Sequence, residues 1–175
     1  MMKRGITRRE LEVTDTQEII EILDKCKIVH IAMVDDGEPY VVPLNYGYIL
    51  EAAAEEGESD QLTLYLHGAL KGRKIDVMRK NPKVFFEMNC DVVPFDGKIA
   101  CQFGTSYSSI MGRGEAEILE DVEEKKVGLS LFMKSQTGMD FEFTDKMVSA
   151  VSVIRIKVKD YTAKKRPHPL ERVAE

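Results

Sequence analysis

Two apolar stretches, residues 28–34 and 39–48, are separated by Asp35-Asp36-Gly37-Glu38. An Asp-Gly pair between runs of strand length is a strong hairpin signal. The two-residue connection needs left-handed backbone, which glycine adopts freely and aspartate tolerates. A hairpin commits its strands to antiparallel pairing. The other strand-like runs are residues 62–67, 84–88, 99–103, 107–119 and 151–158. They do not alternate regularly with helices, so a doubly wound parallel sheet is excluded. The pattern predicts a mainly β fold, six or seven antiparallel strands forming a barrel with helices attached. Pro43 lies inside one of these strands. Proline cannot donate to a ladder, so that strand has an edge or a bulge there, or borders a ligand.

Helices are expected at four places. Thr14 and Gln17 have capping-box spacing, and Ile19, Ile20, Ile22, Leu23 and Cys26 follow with helical period. A second helix opens at Arg73 and stops at Asn81-Pro82, a third opens near Glu120, and a short piece begins at Thr144-Asp145. Gly112 and Gly114 predict a bulge or sharp bend in their strand. Residues 52–60 read as an acidic surface loop and residues 89–98 as a turn-rich connection. Residues 1–13 are expected to be an arm ordered only against another surface, 14–160 a single domain, and 161–175 a basic, proline-broken tail.

Composition removes several function classes. A net charge of -5 over 175 residues argues against a general nucleic-acid binder. No run approaches the roughly 18 apolar residues of a membrane span, and the N-terminus lacks the apolar segment of a signal peptide, so a cytoplasmic protein is expected. Cys26, Cys90 and Cys101 form no CxxC pair, and His30, His67 and His168 are dispersed, so no metal site is expected. Neither Ser108 nor Ser109 lies in a GxSxG turn. A phosphate-binding GxxxxGK[ST] loop and a GxGxxG fingerprint are both absent.

What remains is the stretch from residue 61 to residue 88. A strand ends at His67, the chain turns through Gly68-Ala69-Leu70-Lys71-Gly72, and a helix opens with Arg73 and Lys74. Free backbone donors, the positive end of a helix dipole and two cations would meet there, an arrangement suited to a phosphate. An ordinary basic surface turn is the alternative. His67 is open to either a proton-handling or ring-stacking role or a purely structural one.

The motifs around residues 39–48, 64–69, 72–76, 81–84, 107–114 and 123–125 resemble the flavin-nucleotide-binding proteins related to pyridoxamine-5′-phosphate oxidase, with the nitroimidazole-resistance branch the most similar. That resemblance implies an antiparallel split β-barrel homodimer with one FMN in each of two clefts at the subunit interface. It implies that Arg73 and Lys74 bind the FMN phosphate, and that Val42, Pro43, Leu44 and Asn45 lie along the isoalloxazine. His67 would sit near the flavin as candidate catalytic residue, and Ser108 or Ser109 would reach the phosphate or ribityl chain. FAD would share the phosphate-end contacts. The implied activity is an FMN-dependent oxidoreductase acting on a small substrate such as a nitroimidazole-like nitroaromatic. The alternative is a non-catalytic or regulatory flavin-binding module. The C-terminal residues do not align with the arginine motif of the vitamin B6 oxidases.

Overall fold

The computed structural model describes residues 7–53 and 60–169. Residues 1–6 of the expected arm, 54–59 of the acidic loop and 170–175 of the tail lie outside the described residues. The helix α1 (Thr16–Lys25) is capped by Asp15, whose carboxylate accepts from the Glu18 N–H at 3.0 Å, so the cap falls one residue after Thr14. Its apolar stripe buries Ile19, Ile22 and Leu23.

The hairpin forms as the Asp-Gly pair requires. β2 (Val29–Asp35) and β3 (Glu38–Leu44) are joined by Asp36 and Gly37, with φ of 51° and 91°. The expected single strand over 39–48 divides at Asn45-Tyr46, and β4 (Gly47–Glu51) begins beyond the break. There the Tyr46 hydroxyl donates to the Leu23 carbonyl at 2.7 Å, anchoring the link to α1. β5 (Gln61–Gly68) leads into α2 (Arg73–Lys80), and β6 (Lys83–Phe95) follows at once. β7 (Gly104–Ile118), α3 (Val122–Thr137), α4 (Asp145–Ser149) and β8 (Ser152–Arg166) complete the chain.

Three expectations are corrected. The connection expected over 89–98 is largely strand, because β6 passes through a register shift between Cys90 and Val93, with Asp91 at φ 55°. Residues 100–102 form a 3-10 turn instead of a strand. The last strand runs eight residues past Val158, and the short strand β1 (Glu12–Val13) pairs with it at Lys164 and Ala163. Leu11 and Val13 are thereby buried on the chain's own sheet. The bulge expected around Gly112 and Gly114 is present as a register shift between Arg113 and Gly114.

All pairings are antiparallel, in the order β3-β2-β6-β7-β8-β5-β4 with β1 beside β8. The result is an antiparallel split β-barrel. Alternate residues of five neighbouring strands fill it: Val29, Ile31, Leu64, Leu66, Phe86, Ile110 and Ile156 are all fully buried. A smaller cluster of Tyr65, Leu119, Leu129, Val148 and Val153 seats α3 and α4 on the opposite face of β5 and β8. α3 lies so close to β4 that a Cβ on Gly47 would stand 2.5 Å from the Phe132 Cα.

Candidate functional site

The helix α2 begins without a side-chain cap. Its N-cap is Gly72, at φ 142°, and a side chain there would meet no atom within 4 Å. The Ile75 and Asp76 N–H groups bond back to the Gly72 carbonyl, leaving those of Arg73 and Lys74 as the free donors of the first turn. The β2–β3 hairpin and the end of β5 border this corner.

Arg73 is held by the β2–β3 hairpin. Its Nε donates to Asp35 at 2.7 Å, and the guanidinium carbon stands 4.2 Å above the centre of the Tyr40 ring. One edge of the fork is thus committed and the terminal nitrogens are not. Lys74 turns back over the end of β5: a Cβ on Gly68 would lie 2.9 Å from its Cε and 3.0 Å from its Nζ. Among the described residues Lys74 has no carboxylate partner. A lysine ammonium beside an uncapped helix N-terminus is an arrangement suited to an anion.

His67 is next to this corner. Its ring meets Phe132 edge-on at 4.5 Å between centroids. Burial, followed by the nearby Lys74 charge, pushes its pKa below the ordinary histidine value of 6.5. The imidazole is therefore neutral at neutral pH. It can accept or donate one hydrogen bond, but it must first be protonated to act as a strong acid.

The strand β3 is a sheet edge. In a two-residue hairpin the pair flanking the turn, Asp35 and Glu38, is hydrogen-bonded, and the bonding alternates from there. Tyr40, Val42 and Leu44 then turn their backbone groups to β2, while Pro39, Val41 and Pro43 face the open edge. Both prolines thus sit where no ladder bond is lost. The edge offers the Val41 N–H and three carbonyls. Val42 and Leu44 point their side chains toward the barrel interior, in line with Ile31 and Val29. The Asn45 amide is committed: its Nδ2 donates to the Lys27 carbonyl at 3.0 Å and to Gln136 Oε1 at 3.2 Å.

The two serines lie elsewhere. Ser108 and Ser109 pair with Cys90 and Asn89, whereas Asp35, the partner of Arg73, extends β2 beyond Ala32, itself level with Arg113. At about 3.4 Å per residue this places the serines roughly 25 Å along the strands from the α2 corner. Within one chain, therefore, Arg73, Lys74, His67 and the start of β3 come together, and Ser108 and Ser109 do not join them. Asp35, Tyr40 and Phe132, which hold Arg73 and His67, were not anticipated. Only the turn position of Asp35 hinted at any of them.

Among the described residues no group of three or more His, Cys, Asp or Glu side chains is placed to hold a metal, and no helix is long and apolar enough to cross a membrane.

A family model described as pyridoxamine 5′-phosphate oxidase matches residues 15–165. The chain belongs to the pyridoxamine 5′-phosphate oxidase family. No curated protein matches it. Among solved structures, a proposed 5-nitroimidazole antibiotic resistance protein of Bacteroides thetaiotaomicron is 29% identical, with a TM-score of 0.72 over 89% of this chain and 86% of that one. The flavocytochrome Anf3 of Azotobacter vinelandii is 20% identical, with a TM-score of 0.72 over 94% and 74%. An FAD-binding protein of Mesorhizobium loti is 23% identical, with a TM-score of 0.56 over 88% and 95%. The last two share the fold of this pyridoxamine 5′-phosphate oxidase family member at low identity.

Proposed function

We propose that this family member binds FMN, with FAD the alternative form, and works as a flavin-dependent oxidoreductase on a small, nitroimidazole-like nitroaromatic substrate. The α2 corner carries the reading. Uncapped N–H groups, a lysine with no carboxylate partner among the described residues and a tethered arginine stand at one helix start. That donor set fits a terminal phosphate, which presents several anionic oxygens to donors arriving from different directions. The similarity to the Bacteroides thetaiotaomicron resistance protein supports the substrate class.

A bound flavin would supply the redox chemistry, taking up two electrons and passing them on singly or as hydride. The chain's own residues would bind and orient it. Arg73 and Lys74 hold the phosphate, and the open edge of β3, from Val42 and Pro43 through Leu44 and Asn45, borders the ring. The paired prolines fit an edge turned toward a ligand, because a neighbouring strand would need the N–H groups they lack. His67 stands beside Lys74 as candidate proton donor. A phosphate on Lys74 would offset the ammonium charge and raise the His67 pKa, so that more of the imidazole carries the proton it would donate.

The outer face of β2, β3, β6 and β7 suits a second copy of the chain. Val41 is 53% exposed, Val34 49%, Phe85 47% and Met111 36%, all on this face. An apolar surface of this kind on a sheet calls for a cover. Ser109 shares the face with Met111, two residues along β7. In such a homodimer it would lie at the seam, where it could reach a flavin held by the partner. The non-catalytic reading is separated by turnover: with a reduced nicotinamide donor and a nitroimidazole, the FMN-loaded protein is expected to reduce the nitro group. Bound flavin without turnover on a panel of nitro compounds would leave a binding module.

A further inference from the structure

We propose a second anion site, independent of the flavin reading, at the opposite end of the β6–β7 pair, built to hold the phosphate of a small phosphomonoester. A cavity of about 570 Å³ lies there, lined by Lys25, Asp91, Ser108, Lys165, Arg166 and His168 among others. The end of α1 supplies Lys25, the bulge of β6 supplies Asp91, and the extension of β8 supplies Lys165 and Arg166.

Two groups in it are unspent. Ser108 is only 3% exposed, and among the described residues its hydroxyl has no hydrogen-bond partner. No fully buried side-chain nitrogen or oxygen among them lacks a partner, so the Ser108 hydroxyl must open on the cavity it lines. Its neighbour Ser106 differs, because that hydroxyl donates to the Val93 carbonyl at 3.1 Å. The second group is Arg166. Among the described residues it has no carboxylate partner, yet it is held in place. Its guanidinium carbon stands 5.0 Å over the Phe95 ring, and a Cβ on Gly104 would come within 2.8 Å of its Nη2. Glycine at 104 leaves the room in which the fork lies.

The remaining charges are partly matched. Lys25 meets Asp91 at 2.9 Å, and Lys165 stands 3.8 Å from Glu18. Three cations against two carboxylates leave the Arg166 charge uncompensated. A guanidinium fork, a hydroxyl and a lysine approaching from different elements match the tetrahedral spread of phosphate oxygens better than a planar carboxylate. An adjoining cavity of about 610 Å³ shares Arg166 and Pro167 and is walled by Phe95 and Gln102. It is the place for the organic part, with the Phe95 ring as an apolar wall.

The test follows the backbone amides of the full-length protein, with inorganic phosphate and phenyl phosphate as probes. Phosphate is expected to shift residues 106–108 and 164–167. Tighter binding of phenyl phosphate would assign the adjoining cavity to an organic group, and equal binding would identify free phosphate as the ligand. Arg166→Met is expected to weaken phosphate at this end about ten-fold, and Ser108→Ala several-fold, from the loss of a charge-assisted bond. Ser108→Ala keeps the result interpretable should the arginine variant fold poorly. Shifts confined to residues 72–74, or unchanged affinity in both variants, would overturn the proposal.

Discussion

Replacing Lys74 separates a phosphate site from a basic surface turn. The ammonium has no carboxylate partner among the described residues and rests over Gly68, so its removal frees no opposing charge. The loss should therefore be that of one charge-assisted contact, about 1.5–3 kcal/mol. That corresponds to roughly ten- to hundred-fold weaker FMN binding. Arg73→Ala should cost more. Its Nε is on Asp35 at 2.7 Å, and without the arginine that carboxylate, 23% exposed, would face the phosphate. The ion pair itself is worth at most about 1 kcal/mol of stability, because the arginine side chain is 59% exposed. Binding should thus fall much further than stability. Titrations with FMN and with riboflavin, which lacks the phosphate, make the comparison. Both variants should lose FMN affinity in that order and keep riboflavin affinity. Equal losses for the two flavins, or no loss for either, would refute the phosphate assignment.

His67 gives a pH dependence. Its folded pKa lies below 6.5, so between that folded value and 6.5 the unfolded chain binds more protons. Stability should be full above about pH 6.5 and decline as the solution is acidified through that window. Thermal unfolding of wild type and His67→Asn from about pH 7 down to 5 should show a smaller decline in the variant. Gly47→Ala would force a Cβ against the backbone of Phe132 at 2.5 Å and should destabilise the protein by about 1–3 kcal/mol, read as a lowered Tm. Asp121, which caps α3 by accepting from the Glu123 and Glu124 N–H groups at 3.0 and 2.9 Å, should cost about 1 kcal/mol on replacement by alanine, measured by denaturant unfolding. For the proposed homodimer, Phe85→Asp puts a charge on the outer sheet face and should convert dimer to monomer in sedimentation, with the barrel intact; wild type that sediments as a monomer would contradict that part of the proposal.

The parts of the fold written in local patterns were legible. The Asp36-Gly37 turn, the strand–turn–helix entry into Arg73 and the glycine-marked bulge near Arg113 each follow from neighbouring residues alone. Non-local pairing hid the rest. β6 continues through the polar Asn89 and Cys90 and the bulge at Asp91, a run without strand character, because β7 supplies partners on both sides of the bulge, up to Cys90 and again from Val93. β8 likewise runs through Lys164 and Lys165, since Ser109 and Ser108 lie opposite them. The arm joins the sheet only because those extra residues give Glu12 and Val13 a partner. At the site, Arg73 and Lys74 were visible as the start of a helix. Asp35 and Tyr40 belong to a hairpin more than thirty residues earlier, and Phe132 to a helix far downstream, so no spacing could connect them. The division between Ser108 and Ser109 has the same origin. Adjacent residues of a strand point to opposite faces, one to the basic cavity and one to the apolar outer sheet.

The most direct test of flavin binding is the visible absorbance of the freshly purified protein, followed by titration with FMN. A flavin spectrum on purification, or saturable uptake approaching one FMN per chain, is the expected result. Protein that is folded but colourless, and that takes up neither FMN nor FAD, would contradict the account.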